Sequence, residues 1–342
     1  MAQRKARKGQ TGPAVTLTDV AREARVSRIT VSRVIRRQGP IAAETLKRVE
    51  AAIRKIGYVP NRVAGSLASA GSDLVGVILP SLGNIVFPDV LNGIHDSVAP
   101  HGYRAMVSVT EYSLEAEYQA VSALLSWRPA AVMVTGLEHK KETIKLLRNC
   151  GVPVVELMDI AGEPIDIAVG MSHQRVGEET AQRLLGAGYR RIGLVGHDLV
   201  RDLRASKRRE SFLNALDEAG HALAGEVIVP GASSVAAGRT GLSQLLKLHP
   251  KIEAVYFLND DMAIGGVFHC MNQGVRLPDQ LAIIGFNGLD IGQALPQPLT
   301  TVLTRRREIG ALAGQCVLDR LSGREVPSIT DVGFDFIKGA TA

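Results

Sequence analysis

Two groups of side chains in this 342-residue sequence have the types and spacing to do chemistry. The first lies in the run SRITVSRVIRR, where Arg28, Ile29, Ser32 and Arg33 share one face of a helix, followed by Arg36 and Arg37. Arginine offers a fork of donors matched to guanine O6 and N7, and isoleucine can press on a thymine methyl. Arg28, Ile29 and Arg33 are therefore candidates for reading bases. Ser27, Thr30 and Ser32 suit phosphate oxygens, contacts that position without specifying. The plain alternative is a solvent-facing helix with ordinary arginines. The second group is scattered along the chain after apolar runs and comprises Ser81, Asn84 and Phe87, then Asp159, His197 and Asp198. It continues with the cations Arg204, Lys207, Arg208 and Arg209, then Asn259, Asn287 and Thr304. Such a set can bind a polar small molecule.

Covalent chemistry has no equivalent foothold. No G-x-x-x-x-G-K-[ST] occurs and no G-x-G-x-x-G follows a strand, so phosphoryl or hydride transfer lacks a cradle. Neither G-x-S-x-G nor H-E-x-x-H is found. The adjacent pair His197 and Asp198 lacks a second cluster to complete a metal site, and His95, His139 and His173 read as structural or surface groups. The expectation is a binding protein rather than an enzyme, without cofactor or metal.

The elements needed to hold the first group are legible. Thr16 followed by Asp19 resembles a capping box and predicts a helix start. Val20, Ala21 and Ala24 form that helix's inner face, with the small Ala21 where a second helix must cross closely. Arg25 and Val26 make a tight turn, and Ser27 caps a second helix with Val31, Val34 and Ile35 inward. Two helices on so short a turn form a helix-turn-helix, whose second helix lies in the DNA major groove. In AETLKRVEAAIRKIGY, Leu46, Val49, Ile53 and Ile56 recur at helical spacing and Gly57 supplies the stop, predicting a third helix that closes the core. Pro60 then interrupts, and Asn61 to Ala68 reads as a short helical turn before a glycine-serine linker.

From Leu74 onward about ten strand-like runs, from LVGVIL to TTVL, alternate with helical stretches, which implies parallel sheets with right-handed crossovers. Two doubly wound subdomains suit that number better than one. In such sheets ligands bind beyond the carboxyl ends of the strands, which is where the second group falls.

Charge supports the division. Residues 1–62 carry 15 Lys/Arg and 4 Asp/Glu, whereas the rest carry 25 and 30. A basic head on a mildly acidic body points to a polyanion bound by the head. Residues 1–14 read as a disordered basic tail. Cys150, Cys270 and Cys316 are too few and too far apart for a disulfide framework or zinc cluster. With no apolar run long enough for a signal or membrane span, a cytoplasmic chain is expected.

The runs TLTDVAREARVSRITVSRVIRR and VEAAIRKIGYVPNRVAGSLA resemble the head and hinge of the lactose-repressor (LacI/GalR) family. That resemblance implies a homodimer on operator DNA approximating a palindrome, with the hinge helices of two subunits pairing on DNA and a leucine, here Leu67, wedged into the minor groove. It assigns Thr16, Ser27, Arg28, Ile29, Thr30, Ser32, Arg33, Asn61 and Leu67 to DNA. It further implies a periplasmic-binding-protein-like body with Asp159, Arg208, Asn259 and Asn287 at effector positions. Two departures stand out: Arg36 and Arg37 replace polar residues, and Ala42 and Ala43 replace the usual serine cap. Asn287 stands where the family often has Asp.

The implied organisation is a helix-turn-helix domain over 15–60, a hinge and linker over 61–73, and an effector-binding and dimerisation domain over 74–342. Its N-subdomain is expected at about 74–170 and 300–328, and its C-subdomain at about 171–298 and 329–342. Three crossings are therefore placed near 170, 299 and 329. Within the family, LPSLGNIVFPDVLNGI, ALLSWRPAAVMVTG and GFNGLDIGQ look similar to gluconate-utilisation repressors, implying a sugar-acid inducer. A neutral sugar or phosphorylated metabolite, and a periplasmic sugar carrier without a DNA role, are the alternatives. FDFIKGATA shows no heptads, so no coiled-coil tetramer is expected.

Overall fold

The computed structural model describes residues 15–36, 39–58 and 72–342. The chain divides into two compact units, Met1–Ala70 and Gly71–Ala342.

The first unit is built from α1 (Leu17–Ala24), α2 (Arg28–Arg36) and α3 (Ala43–Ile56). Thr16 caps α1 reciprocally: its hydroxyl accepts from the Asp19 amide at 3.4 Å and its own amide donates to the Asp19 carboxylate at 2.9 Å. Arg25 ends the helix in the left-handed region, φ 52°, making the tight turn. Ser27 opens α2 by accepting from the Thr30 amide at 3.0 Å. At α3, Ala42 makes no side-chain cap, while Gly57 provides the left-handed stop. Val20, Ala21, Ala24, Val31, Val34, Val49 and Ala52 form the core. Leu46, expected inside, is 38% exposed: at about 100° per residue it falls at the margin of the inward stripe formed by Val49, Ala52, Ile53 and Ile56.

The second unit carries two six-stranded sheets. The first has order β11-β5-β4-β3-β1-β2 and the second β12-β10-β9-β8-β6-β7. The ranges are β1 Leu74–Leu79, β2 Arg104–Val109, β3 Ala131–Thr135, β4 Val154–Leu157, β5 Ile167–Gly170 and β11 Ile329–Asp331 in the first sheet. In the second they are β6 Ile192–Gly196, β7 Gly225–Ile228, β8 Ala254–Phe257, β9 Ala282–Asn287, β10 Thr300–Thr304 and β12 Phe334–Ile337. Every pairing is parallel except β12 on β10. The central strands are apolar on both faces because helices cover both, as parallel sheets require.

The helices are α4 Val86–Val98, α5 Leu114–Ser126, α6 Lys141–Arg148, α7 His173–Gly186, α8 Leu203–Glu218 and α9 Val235–Leu248. They continue with α10 Asp260–Gln273, α11 Asp290–Gln293 and α12 Arg306–Leu321. α4 and α12 approach backbone to backbone: a Cβ on Gly310 would stand 2.0 Å from the Val90 carbonyl oxygen, and one on Gly93 2.1 Å from that of Arg307. Only glycine fits either point.

The chain crosses between sheets after β5, at Arg305, and between β11 and β12 at Val332–Gly333. The last two crossings lie beyond the expected 299 and 329. TTVLT completes the second sheet beside β9 before the chain leaves, and ITD first pairs with β5. The short strands β11 and β12 were not legible because an edge strand lacks the buried apolar run of a central one.

Candidate DNA-reading face and effector cleft

On α2 the proposed base-reading residues stand clear of the core: Ile29 is 73% exposed, and Arg28 and Arg33 are exposed. The Arg33 guanidinium folds back over Gly39, where a Cβ would meet Nη2 at 2.5 Å. Ser27 and Thr30 share a hydroxyl–hydroxyl bond of 2.9 Å, so both oxygens sit together at the start of α2. Thr16 is exposed at the start of α1, its hydroxyl donating to Asp19 at 2.6 Å. Two helix N-termini thus offer amides and hydroxyls of the kind that bind phosphate. Asn61, Leu67 and Arg37 lie outside the described residues.

In the body, the carboxyl ends of strands from both sheets enclose a cavity of about 490 Å³. That is within the roughly 300–1,000 Å³ of small-molecule sites. Its polar lining includes Ser81, Asn84, Tyr112, His197, Asp202 and Asn287, and Val235, Ile264, Phe268, Leu289 and Ile291 form an apolar wall. Ser81, Asn84 and Asn287 were expected at the site. Phe87, Asp159, Arg208, Asn259 and Thr304, also expected, do not line the cavity and are buried within the protein.

Four of these buried residues and their partners form two polar groups. Arg208, on α8, is 2% exposed. Its Nη1 donates to Nδ1 of His173 at 3.0 Å, and its Nη2 to the Leu258 carbonyl at 2.9 Å and to Asn259 Oδ1 at 3.4 Å. The guanidinium lies 3.8 Å from the centre of the Phe286 ring. Nε is buried without a hydrogen-bond partner, and among the described residues no carboxylate comes within ion-pair distance of this arginine. Burial accordingly holds its pKa below the usual arginine value. His173 is kept neutral, its pKa pushed down to about 3 by burial and by the neighbouring Arg208 charge. Its Nε2 donates to the Met158 carbonyl at 2.9 Å, leaving Nδ1 to accept from Arg208.

The seam continues to the cavity. Asn287 donates from Nδ2 to Asn259 Oδ1 at 3.3 Å, and its backbone sits at φ 126°, a strained conformation for a residue with a side chain. Thr304 secures that backbone by donating to the Asn287 carbonyl at 3.1 Å. Arg306 bonds the same carbonyl and reaches Asp89 of α4 at 3.0 Å, joining the two subdomains. Asp260, at the start of α10, accepts from the Thr301 hydroxyl at 2.6 Å and from the Leu289 amide at 2.8 Å, holding the apolar wall in place. Burial pushes its pKa up to about 6.

Lys207 forms the second group. Its ammonium reaches Asp159 at 2.6 Å and also pairs with Glu138, both from the first sheet's strand ends, while Lys207 belongs to α8 of the other subdomain. Asp159 also accepts from the Ile160 and Ala161 amides at 2.8 and 3.0 Å. Burial opposes its ionisation, but the lysine and the amides outweigh it and keep the carboxyl below its ordinary value. Asp159 is therefore a latch partner whose oxygens are already engaged.

Sequence reasoning missed Tyr112, Arg201, Asp202 and Arg306. Asp202 carried a usable signal, since it caps α8 by accepting from the Ala205 amide at 3.2 Å. Tyr112 follows β2 in a loop with φ 59°, and nothing in TEYS marks it as a strand-end residue facing the other sheet. Among the described residues no cluster could hold a metal ion, and no helix is long and apolar enough to cross a membrane.

Residues 16–61 match the family described as bacterial regulatory proteins, lacI family, and residues 72–340 match periplasmic binding proteins and sugar binding domain of LacI family. The HTH-type transcriptional regulator GntR of Escherichia coli K12 is 34% identical over 326 residues, covering 95% of this chain and 98% of its own. A crystal structure of a LacI-family transcriptional regulator from Silicibacter pomeroyi superposes with a TM-score of 0.93 at 40% identity, covering 96% of this chain and 99% of that one. The lac repressor dimer bound to operator and an anti-inducer gives 0.81 at 26% identity, with coverage of 96% and 99%. With a helix-turn-helix head, a two-sheet body and an enclosed cleft, the chain belongs to the LacI family and is a sequence-specific DNA-binding transcriptional regulator, not an enzyme.

Proposed function

We propose that this regulator is a cytoplasmic homodimeric repressor of sugar-acid catabolism, released from its operator when gluconate or a close derivative binds the cleft. One observation carries the choice of an anion: Arg208, joined to the cavity-lining Asn287 through Asn259, is a buried guanidinium with no carboxylate within ion-pair distance, offset only at longer range by Asp202 and the Tyr256 hydroxyl. A buried charge without a directly paired counter-ion costs several kcal/mol, roughly, and a ligand carboxylate forked onto it would recover part of that. Asn259 Oδ1 holds Arg208 by the longest of its contacts, 3.4 Å, and is the acceptor a carboxylate would displace. The sequence stretches similar to gluconate-utilisation repressors, and the relative GntR, support the same ligand class.

Asp159 and Lys207 act in this reading as the latch between subdomains, and Phe87 and Thr304 shape the cleft from behind. Ligand binding shifts operator affinity only through its preference for one arrangement of the two subdomains. In the head, Arg28, Ile29 and Arg33 read bases and Thr16, Ser27, Thr30 and Ser32 contact phosphates. Asn61 and Leu67 complete the hinge contacts.

A second reading, a neutral sugar, draws on the cavity lining, which holds the acids Glu111, Asp198, Asp202 and Asp261 and one cation, Arg201. Glu111, Asp198 and Asp261 retain solvent contact and are screened, and the buried Asp202 is already engaged by His197, Arg204 and the Ala205 amide, whereas Arg208 has no carboxylate within ion-pair distance, so the anion is preferred. Thermal-shift measurements with gluconate, its 6-phosphate, ketogluconates and neutral sugars decide the matter, since a bound ligand raises the melting temperature by mass action. Stabilisation by neutral sugars alone would select the second reading. Operator retardation strengthened by the stabilising ligand would reverse the proposed sign of control.

A further inference from the structure

We propose that the amino edge of the first sheet is a second DNA-contacting surface, where Arg104 and Arg128 hold phosphates of the duplex whose bases the head reads. In this parallel sheet every strand starts at the same edge, and the helices α5 and α6 end at it. The chain also enters the body there. The Asp73 carbonyl accepts from the Arg104 amide at 2.8 Å, and the Leu74 carbonyl accepts from the Ala130 amide at 2.7 Å. Residues arriving from the head are thus held with Arg104 on one side and the segment Arg128 to Ala130 on the other.

Both arginines are exposed, and among the described residues neither side chain makes a hydrogen bond or ion pair. Lys145 and Arg148, in the last turn of α6 before β4, are exposed and unpaired in the same way. The acids of this edge are already engaged. Asp166 accepts from Arg320 at 2.8 Å and from the Val154 amide at 3.1 Å, Asp319 accepts from Gln315 at 2.8 Å and pairs with Arg324, and Asp73 has a partner of its own. Beyond residue 62 the chain carries 25 Lys/Arg against 30 Asp/Glu, so free cations gathered at one edge run against the balance of the body that bears them.

A strip of unpaired cations is matched by a repeating anion, and duplex DNA presents one charge per about 1.7 Å of its axis. The chain itself brings the duplex near. The steps from Tyr58, at the end of the head, to Ser72 span at most about 50 Å, so DNA held by the head stays within reach of this edge. Trp127, the only tryptophan of the sequence, adjoins Arg128 and is 50% exposed, with an indole N–H that can donate to a phosphate oxygen. Arg128 holds a left-handed backbone, φ 51°, which glycine adopts at least cost.

The test is operator binding by the full chain, measured by fluorescence anisotropy of labelled duplex over a series of KCl concentrations. Each phosphate contact contributes about 0.9 to the slope of log K against log salt, so Arg104→Gln combined with Arg128→Gly should lower the slope by about two. Affinity near physiological salt should fall about tenfold, by the same factor for every operator variant with one base pair changed, because phosphates carry no sequence. Glycine suits the backbone at 128 and glutamine only discharges an exposed position, so an unchanged melting curve identifies the variant as folded. Lys251→Gln combined with Arg276→Gln removes the same charge from exposed positions of the other subdomain and should leave the slope as it was. Operator should also shield Trp127 from acrylamide, and with no second tryptophan the emission reports this edge alone. An unchanged slope in the first variant, an equal fall in the second, or quenching of Trp127 that operator does not alter overturns the inference. Each of these outcomes leaves the base-reading assignments of the head and the sugar-acid reading of the cleft where they stand.

Discussion

In the head, the side chains proposed to touch the ligand stand outside a core of seven buried residues, with Ile29 and Arg28 facing solvent. In the body, the polar machinery is inside: Arg208, Asn259, Asp159 and Thr304 are each under 5% exposed, and three larger apolar clusters surround the two sheets. The head needs a stable scaffold beneath an interchangeable surface. The body has written its ligand demand into its own interior, so folding and recognition there draw on the same groups.

The largest expected effect separates the two units. Val49 is fully buried at the centre of the small head core, and a unit of this size has little stability to lose. Val49→Ala removes apolar contact and leaves a cavity, costing about 2 kcal/mol. Operator retardation should be abolished, whereas the melting shift given by gluconate should persist; parallel loss of both would show that the units are not independent. Next, Arg208→Met replaces the unpaired buried charge with an apolar chain of similar length. Gluconate affinity should fall about 100-fold, a charge-assisted bond's worth, while relief of the buried charge offsets the loss of donors to His173, Leu258 and Asn259 and keeps the stability change of the body within about 2 kcal/mol. A large drop in melting temperature without ligand would mean that Arg208 is chiefly a structural strut.

The same contrast explains what the sequence made legible. The Thr16–Asp19 capping box, the Ser27 cap and the valine spacing of α2 are local signals, each complete within a few residues, and the head's architecture follows from them. Leu46 misled because its spacing from Val49 fits α3, while which margin of that stripe the other two helices cover is a property of the assembled core. The body's alternation of strands and helices is also local, so its sheets were readable. Its cleft is not: Arg208 meets His173 and Lys207 meets Glu138 only once the fold is assembled. A residue such as His173 reads as an ordinary helix start until the fold sets it beside a buried arginine.

On the head's surface, Arg28→Ala should cost roughly 1–3 kcal/mol at a single operator position and leave the others unchanged. Binding to an operator series with one base pair varied at a time measures this. Uniform weakening across the series, with a shallower salt dependence, would reassign Arg28 to a phosphate.

The smallest effect tests whether polar burial in the body is confined to the cleft. His139 sits on the β3–α6 loop next to Glu138, with Nδ1 2.8 Å from Glu117 and Nε2 3.3 Å from Glu156, all three side chains buried. Burial alone would lower its pKa, but the two glutamates outweigh that and raise it to about 9 from an ordinary 6.5. The folded chain therefore holds this proton more tightly than the unfolded chain does, so the stabilisation is complete below about pH 6.5 and is lost as pH rises through 9. The melting temperature of the body should fall by a few degrees between pH 6.5 and 9.5, after other titrations are subtracted using His139→Gln, in which this component of the slope should vanish. Identical slopes in the two proteins would mean that the loop carrying Glu138 is held by packing rather than charge, and that the latch on Lys207 owes nothing to the imidazolium behind it.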